Sequence, residues 1–259
     1  MLYLVGLPGG LKEHSGKVHD DGVMVVGGAI DAATLSMRPM PSLTAQEILP
    51  HAAVEGSAWL GKRAVDLVFS LVLLLVALPL FLIVGVLIKG TSSGPVFFRQ
   101  RRVGRGGEDF PMLKFRTMHA DSEERLRADP ALYQLFLESA HKVPAHLDPR
   151  VTRGGRVLRR FSVDELPQLV NVLFGHMSLV GPRPVERSQL LRDYGAFERV
   201  YLALRPGLTG LWQVSGRSTV PFPERAHLDS DYLQACGPRI DAKILLRTPR
   251  AVFTGLGAE

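Results

Sequence analysis

From Leu67 to Ile88 the chain carries no charged side chain; the run is built mainly from Leu, Val, Ile and Phe, with Pro79 inside it. As a helix these residues would extend about 33 Å, enough to cross the hydrocarbon core of a bilayer. Pro79 lacks the N–H that would bond to residue 75, and its ring crowds the preceding turn. The break leaves arms of roughly 12 and 10 residues, each too short to span alone. Basic residues flank both ends, Lys62 and Arg63 ahead and Lys89, Arg99, Arg101, Arg102 and Arg105 behind. If both ends favour the anionic cytoplasmic leaflet, the segment enters the membrane and returns. A single kinked span and a buried core helix are the other readings of the same pattern.

The pattern divides the chain into three parts. Residues 1–60 are weakly patterned, with a short strand expected at Val23–Val26 and a short helix around Ala45–Val54; they form an N-terminal extension of unknown role. Residues 61–90 hold the apolar helix with its expected break at Pro79, and residues 91–259 form the remaining part. There, "TSSGPVFFRQRRVGRGGEDFPMLKFRTM" reads as turn, strand, basic glycine-rich turn and strand, with Lys114 and Arg116 on one strand face. "ADSEERLRADPALYQLFLESAH" reads as helical, ending near Pro144. "DPRVTRGGRVLRRFS" adds five arginines from Arg150 to Arg160 around Gly154 and Gly155. Two arginine-glycine clusters ahead of one acidic pair suggest a phosphate cradle.

Composition narrows the partners. The 259 residues carry 31 basic and 25 acidic side chains, a formal charge of +6 that suits nucleic acid, phospholipid or a phosphorylated substrate. A single cysteine, Cys236, excludes a disulfide scaffold and a thiolate metal cluster, so the chain reads as intracellular or facing the cytoplasm. No secretory leader pattern is present at the N-terminus.

Candidate chemistry centres on "FSVDELPQLVN". Asp164 and Glu165 precede an apolar-faced helix, and either Ser162 or Asp164 would serve as its N-cap. Both assignments put the carboxylates at the positive helix end, where they stay ionised, and capping alone would account for them. Their company adds a chemical reading. "MSLVGPRP" predicts a buried strand and a rigid turn presenting Arg183; "LRPGLTGLWQVSGRS" offers Arg205 and Arg217 among glycines that form either an anion nest or tight turns. An ionised carboxylate among arginines can attack phosphorus if a divalent cation offsets the repulsion of the two anions. Asp164 and Glu165 are the dense oxygen donors, with Asp229, Asp231 and Asp241 as distant contributors. No H-E-x-x-H spacing supports zinc. A basic protein binding membrane or nucleic acid without catalysis is the reading from another class, but no recognition helix or aromatic platform accompanies the arginines.

From Lys62 onward the chain resembles the bacterial sugar transferases, the monotopic polyprenyl-phosphate phosphoglycosyl transferases. "KRAVDLVFSLVLLLVALPLFLIVGVLIK", "GPVFFRQRRVG", "KFRTM", "VLRRFSVDELPQLVNVLFGHMSLVGPRPV", "RPGLTGLWQVSGR" and "DAKILLRT" match its successive motifs in order, over about three quarters of the chain. The stretch "YLQACGPRID" departs from the aromatic-rich family pattern. The resemblance implies an α/β membrane-associated, monotopic fold: a re-entrant helix bent at Pro79, interfacial amphipathic helices and a small cytoplasmic catalytic core at the bacterial inner membrane. It implies Asp164 as nucleophile and Glu165 as a ligand of Mg2+, with Mn2+ as a substitute and Asp164 sharing the metal. The implied reaction moves a sugar 1-phosphate from a nucleotide sugar, UDP-linked, to undecaprenyl phosphate and releases UMP; a direct displacement with both acids serving the metal is the alternative. Lys114, Arg116, Arg160, Arg183, Arg205 and Arg217 are then the expected phosphate contacts, with Asp229 and Asp241 in support. Anionic phospholipids are expected partners, a homodimer is compatible, and nucleic acid is not expected.

Overall fold

The computed structural model describes residues 45–138, 143 and 147–253, with side chains from Gly61 onward. The strand expected at Val23–Val26 lies outside the described residues. Helix α1, Ala45–Thr91, begins where the short helix was expected but continues through Gly61 and the whole apolar run. Its part from Gly61 to Thr91 is long and apolar enough to cross a membrane. Helical structure persists through Pro79, so the expected break is not a gap in the helix: a proline removes one backbone bond, and the flanking turns carry the segment on.

The basic turn joins β1 (Phe97–Val103) and β2 (Asp109–Phe115) into an antiparallel hairpin, with Phe97 opposite Phe115 and Val103 opposite Asp109. Arg116 falls just beyond β2 instead of sharing a strand face with Lys114. The predicted single helical stretch is two helices, α2 (Ser122–Arg127) and α3 (Pro130–Glu138), because Pro130 favours a first helical position. The second arginine-glycine cluster is also a helix, α4 (Arg153–Arg160), capped by the Thr152 side chain accepting from Gly155 N–H. Gly155 is required by packing: a Cβ there would lie 2.2 Å from the Thr117 carbonyl oxygen.

Helix α5 (Gln168–Leu173) leads into β3 (Ser178–Val180), which pairs in parallel with β4 (Gly207–Thr209). Between them lie α6 (Arg187–Gln189) and α7 (Glu198–Ala203); α8 (Leu211–Ser215), α9 (Glu224–Ala235) and α10 (Pro238–Phe253) follow. The glycines at the β3–β4 crossing serve close backbone approach, not an anion nest. Gly181 N–H donates to Thr209 O, Gly207 N–H donates to Pro182 O, and a Cβ on Gly207 would meet Gly181 N at 2.1 Å.

Two apolar clusters hold these elements. The larger packs Val103, Met112, Leu169, Val172, Leu179, Tyr201, Tyr232 and Ile244. The smaller joins Val84 and Ile88 of α1 to Phe115, with Phe81, Val96, Leu158 and Val163 against it. The part after α1 therefore touches that helix on both sides of Pro79. On the near side Lys62 Nζ donates to Val180 O and pairs with Asp241 at 2.8 Å, Arg63 donates to the Val172 and Leu173 carbonyls that end α5, and buried Asp66 accepts from Leu179 N–H. On the far side the Arg116 guanidinium donates to the Ser92 and Ser93 carbonyls. Lys62 and Arg63, read from sequence as membrane-flanking charges, are thus engaged inside the protein.

Candidate active site

Asp164 and Glu165 sit in a short 3-10 turn, Val163–Glu165, and not in the first turn of α5. Neither expected cap forms: Ser162 adopts a left-handed conformation (φ 54°) without a side-chain capping bond, and Pro167 occupies the N-cap position of α5. Pro167 fits there because a helix start has no use for its missing N–H. The turn is held from both sides. Val163 packs on the Val84–Ile88–Phe115 cluster, while buried Asn171 ties α5 to β2 by accepting from Leu113 N–H at 2.9 Å and donating to Pro111 O at 2.8 Å.

This clamp brings Lys114 to Glu165. Lys114 Nζ lies 3.3 Å and Arg183 Nη2 2.9 Å from the same Glu165 oxygen, Oε1. Burial by itself would raise Glu165, but the charges of Arg183 and Lys114, with their hydrogen bonds, outweigh it and hold the carboxyl at about 2. Asp164 moves the other way. It is 7% exposed, and burial first and the Glu165 charge second raise it above the ordinary aspartate value, against the opposing charges of Lys114, Arg159 and Arg183. No hydrogen bond among the described residues ends on the Asp164 carboxylate. One acid is locked and ionised; its neighbour is buried, surrounded by cations and not engaged by a protein donor.

Arg217 joins this group. Its backbone is left-handed (φ 56°), Nη2 donates to Ser162 Oγ at 3.2 Å, Nη1 is buried without a partner, and its charge is felt by Glu165 and Arg183. Arg183 keeps 40% of its side chain exposed, so the pocket has a cationic opening. Lys114, Glu165 and Arg183 share the pocket wall with Arg102, Gln168 and Gln213.

The other expected contacts lie elsewhere. Arg116 ends α1, as described. Arg160 is exposed, its guanidinium 5.7 Å from the Phe161 ring centroid, and it is Arg159 that approaches Asp164, anchored by Nε to Thr117 Oγ1 at 2.9 Å. Arg205 has Arg105, Arg63 and Asp66 as its charged neighbours. Asp229 is on the buried face of α9, accepts from Tyr194 Oη at 2.9 Å, and is raised by burial to about 7 against the Tyr194 bond and the Arg225 charge. Asp241 belongs to the Lys62 pair. Arg102 was read from sequence as a charge flanking the apolar run and Arg159 as one of a cluster, neither as a site residue, and Asp66 was not named at all. Asp66 had a usable signal, an acid one helical turn after Lys62 at the mouth of an apolar helix, where an unpaired charge is costly; Arg159 had none beyond its neighbours.

Among the described residues no group of three or more His, Cys, Asp or Glu converges to hold a metal. The acidic pair still suits Mg2+, which is commonly held by one or two carboxylates and completed by substrate phosphates and water.

A family description of bacterial sugar transferase matches residues 57–255. The chain is 40% identical over 210 residues to the "Exopolysaccharide production protein ExoY" of Sinorhizobium fredii, covering 80% of this chain and 91% of that one. It is 42% identical over 217 residues to a "UDP-glucose:undecaprenyl-phosphate glucose-1-phosphate transferase" of Caulobacter vibrioides, covering 80% and 73%. It is 41% identical over 200 residues to the "Undecaprenyl-phosphate galactose phosphotransferase" of Salmonella typhimurium, 76% of this chain but 41% of the longer relative. With the matched region enclosing both faces of the pocket and the helix that anchors it, the chain belongs to the bacterial sugar transferase family of enzymes.

Proposed function

We propose that this enzyme transfers a sugar 1-phosphate from a UDP-sugar to undecaprenyl phosphate through a covalent phosphosugar on Asp164. The observation that carries the reading is the asymmetry of the pair: Glu165 is fixed through Oε1 by Lys114 and Arg183, which leaves Oε2 for a cation, while Asp164 is buried among cations with no protein donor on its carboxylate. The names of the Caulobacter and Salmonella relatives supply the lipid acceptor, and the Caulobacter name a UDP-sugar donor.

In the first step an Asp164 oxygen attacks the phosphorus bonded to the sugar. The bond from that phosphorus to the bridging oxygen of the diphosphate breaks, and the electron pair leaves with UMP. In the second, a phosphate oxygen of undecaprenyl phosphate attacks the same phosphorus and releases the Asp164 carboxylate, so no net proton or electron is required. Arg183, Arg217 and Lys114 neutralise the phosphate oxygens, and Arg159 favours the ionised nucleophile. Mg2+, held by Glu165 and shared by Asp164, would supply charge neutralisation for the diphosphate.

The acceptor is membrane-bound, which gives α1 its role. Both ends of its apolar segment contact the same catalytic part, through Lys62 and Asp66 before Pro79 and through Val84, Ile88 and Ser92 after it. A crossing helix would carry one end to the opposite bilayer face. The contacts therefore favour a re-entrant segment, with the catalytic part on the cytoplasmic side and the exposed Val157, Phe161 and Leu246 at the interface.

Intact-protein mass spectrometry after incubation with UDP-sugar and Mg2+, without lipid, should show a phosphosugar adduct. It should be absent from Asp164→Asn and discharged by undecaprenyl phosphate. Lipid-dependent UMP release with no adduct would instead favour direct displacement.

A further inference from the structure

Beside the acidic pocket lies a second cleft of different character. Gln100, Arg101 and Arg102 of β1 form one wall; Glu186, Arg187 and Ser188 form the other, with Asp109 at its edge. Its charges are of both signs. Gln100 Nε2 donates to Glu186 Oε1 at 2.8 Å, Arg102 Nη1 lies 3.4 Å from the same oxygen, and Arg187 Nη2 is 2.7 Å from Asp109 Oδ1. The hydrogen-bonding capacity is not used up. No described residue donates to Glu186 Oε2, and Arg102 Nε is buried without a partner.

Two features join this cleft to the chemistry. Arg102 lines both hollows, facing Glu186 in one and the Glu165–Arg183 wall in the other. The backbone connecting the walls is rigid. Val103 N–H donates to Val185 O at 3.0 Å, Val185 N–H donates to Tyr201 Oη at 3.2 Å, and Tyr201, fully buried, donates to Val103 O at 2.7 Å. That triangle sets Glu186 at a fixed distance from Arg183, three residues earlier, and Arg102 beside both.

Resting on the transferase reading above, we propose that the cleft between β1 and the Glu186–Ser188 segment binds the sugar of the donor, and that Gln100 and Glu186 are specificity-determining residues. Carboxylates bordering the cleft disfavour the diphosphate, which belongs with the cations around Asp164. A neutral, hydroxyl-rich group suits adjacent acceptors and donors: Glu186 and Asp109 accept from hydroxyls, Gln100 and Arg102 donate to them. No aromatic ring lines the cleft for a base to stack on, so the sugar fits better than the nucleoside. Glu186, Arg187 and Asp109 keep 49%, 52% and 39% of their side chains exposed, and they discriminate among isomers differing at one carbon when the bound sugar covers them and pairs their polar atoms.

The test uses the full chain in detergent with undecaprenyl phosphate and Mg2+. UMP release is followed with UDP-glucose, UDP-galactose and UDP-N-acetylglucosamine for wild type, Gln100→Ala and Glu186→Gln. The ratio of kcat/KM between preferred and disfavoured donors should shrink by about ten-fold or more. Competitive inhibition by UMP, which lacks the sugar, should stay within about two-fold of wild type, since one hydrogen bond is worth more than that. Unchanged donor ratios in an active variant would overturn the assignment, as would weakened UMP inhibition with all donors falling equally, the mark of a nucleoside site. A wild type releasing UMP from none of the donors would overturn the transferase reading itself, and the cleft's role with it.

Discussion

Two buried ionic clusters in this molecule are built on opposite rules. At the root of α1, Lys62 contacts Asp241, Tyr232 and Val180 O, and Tyr232 also donates to Asp241; nearby Asp66 is taken by Leu179 N–H. Each charge there has a protein partner. Around the acidic pair capacity is left open: the Asp164 carboxylate accepts no protein hydrogen bond, Arg217 Nη1 is buried unpaired, and Arg183 is only partly covered. A closed cluster fixes geometry, whereas an open one retains capacity for a ligand's charges. The two are connected, because Lys62 and Asp66 hold β3, whose continuation through Gly181 and Pro182 presents Arg183 to Glu165.

The sharpest way to break this contrast is Asp164→Asn. Loss of the proposed nucleophile should lower UMP release by at least about a thousand-fold, while the folded protein is no less stable at pH 8. The sign follows from the raised Asp164 value: its folded form binds the proton more tightly than the unfolded chain, so this group's contribution to stability declines as pH rises through that range. Unfolding of the variant in detergent would place Asp164 in the closed class.

Lys62→Ala should do the reverse. It removes the cation from a largely buried Asp241, leaving Tyr232 as its partner, and should cost about 3 kcal/mol in thermal or denaturant unfolding, with turnover per folded molecule falling far less than in Asp164→Asn because Asp66 still holds β3. The joint change Lys62→Met with Asp241→Leu should recover much of that loss. A Lys62→Ala enzyme of unchanged stability would show that the root cluster is not what anchors α1.

A smaller effect separates charge from scaffold at Arg217. Arg217→Gly removes the guanidinium but suits the left-handed backbone, so the melting temperature should hold while kcat/KM falls about ten-fold. Equal activity would remove Arg217 from the phosphate contacts.

The smallest effect is in pH. The proposed attack requires ionised Asp164, so kcat/KM should fall on the acid side with a midpoint above that of an ordinary aspartate, while Glu165 stays charged throughout. Arg159→Ala removes a charge that favours the ionised form and should move the acid limb to higher pH. A limb unmoved by that change would show that Arg159 serves only Thr117.

The sequence by itself determined the parts whose physics is local. The uncharged run from Leu67 to Ile88 specified an apolar helix, although the break expected at Pro79 is no gap in it; alternating strands around the glycines of residues 104–107 make a hairpin, and the order of motifs identified the family and its acidic pair. Tertiary structure decided which cations reach that pair. Arg159 and Arg160 are adjacent in the chain, and only the packing of α4 on Thr117 turns the first toward Asp164 and leaves the second in the open. The same holds for Arg116, taken up by the end of α1, and for the glycines of β3 and β4, consumed by a backbone crossing that no local pattern announces. Charge placement depends on long side chains and on contacts between residues far apart in sequence, such as Lys62 with Asp241, so a list of arginines names candidates and the fold selects among them.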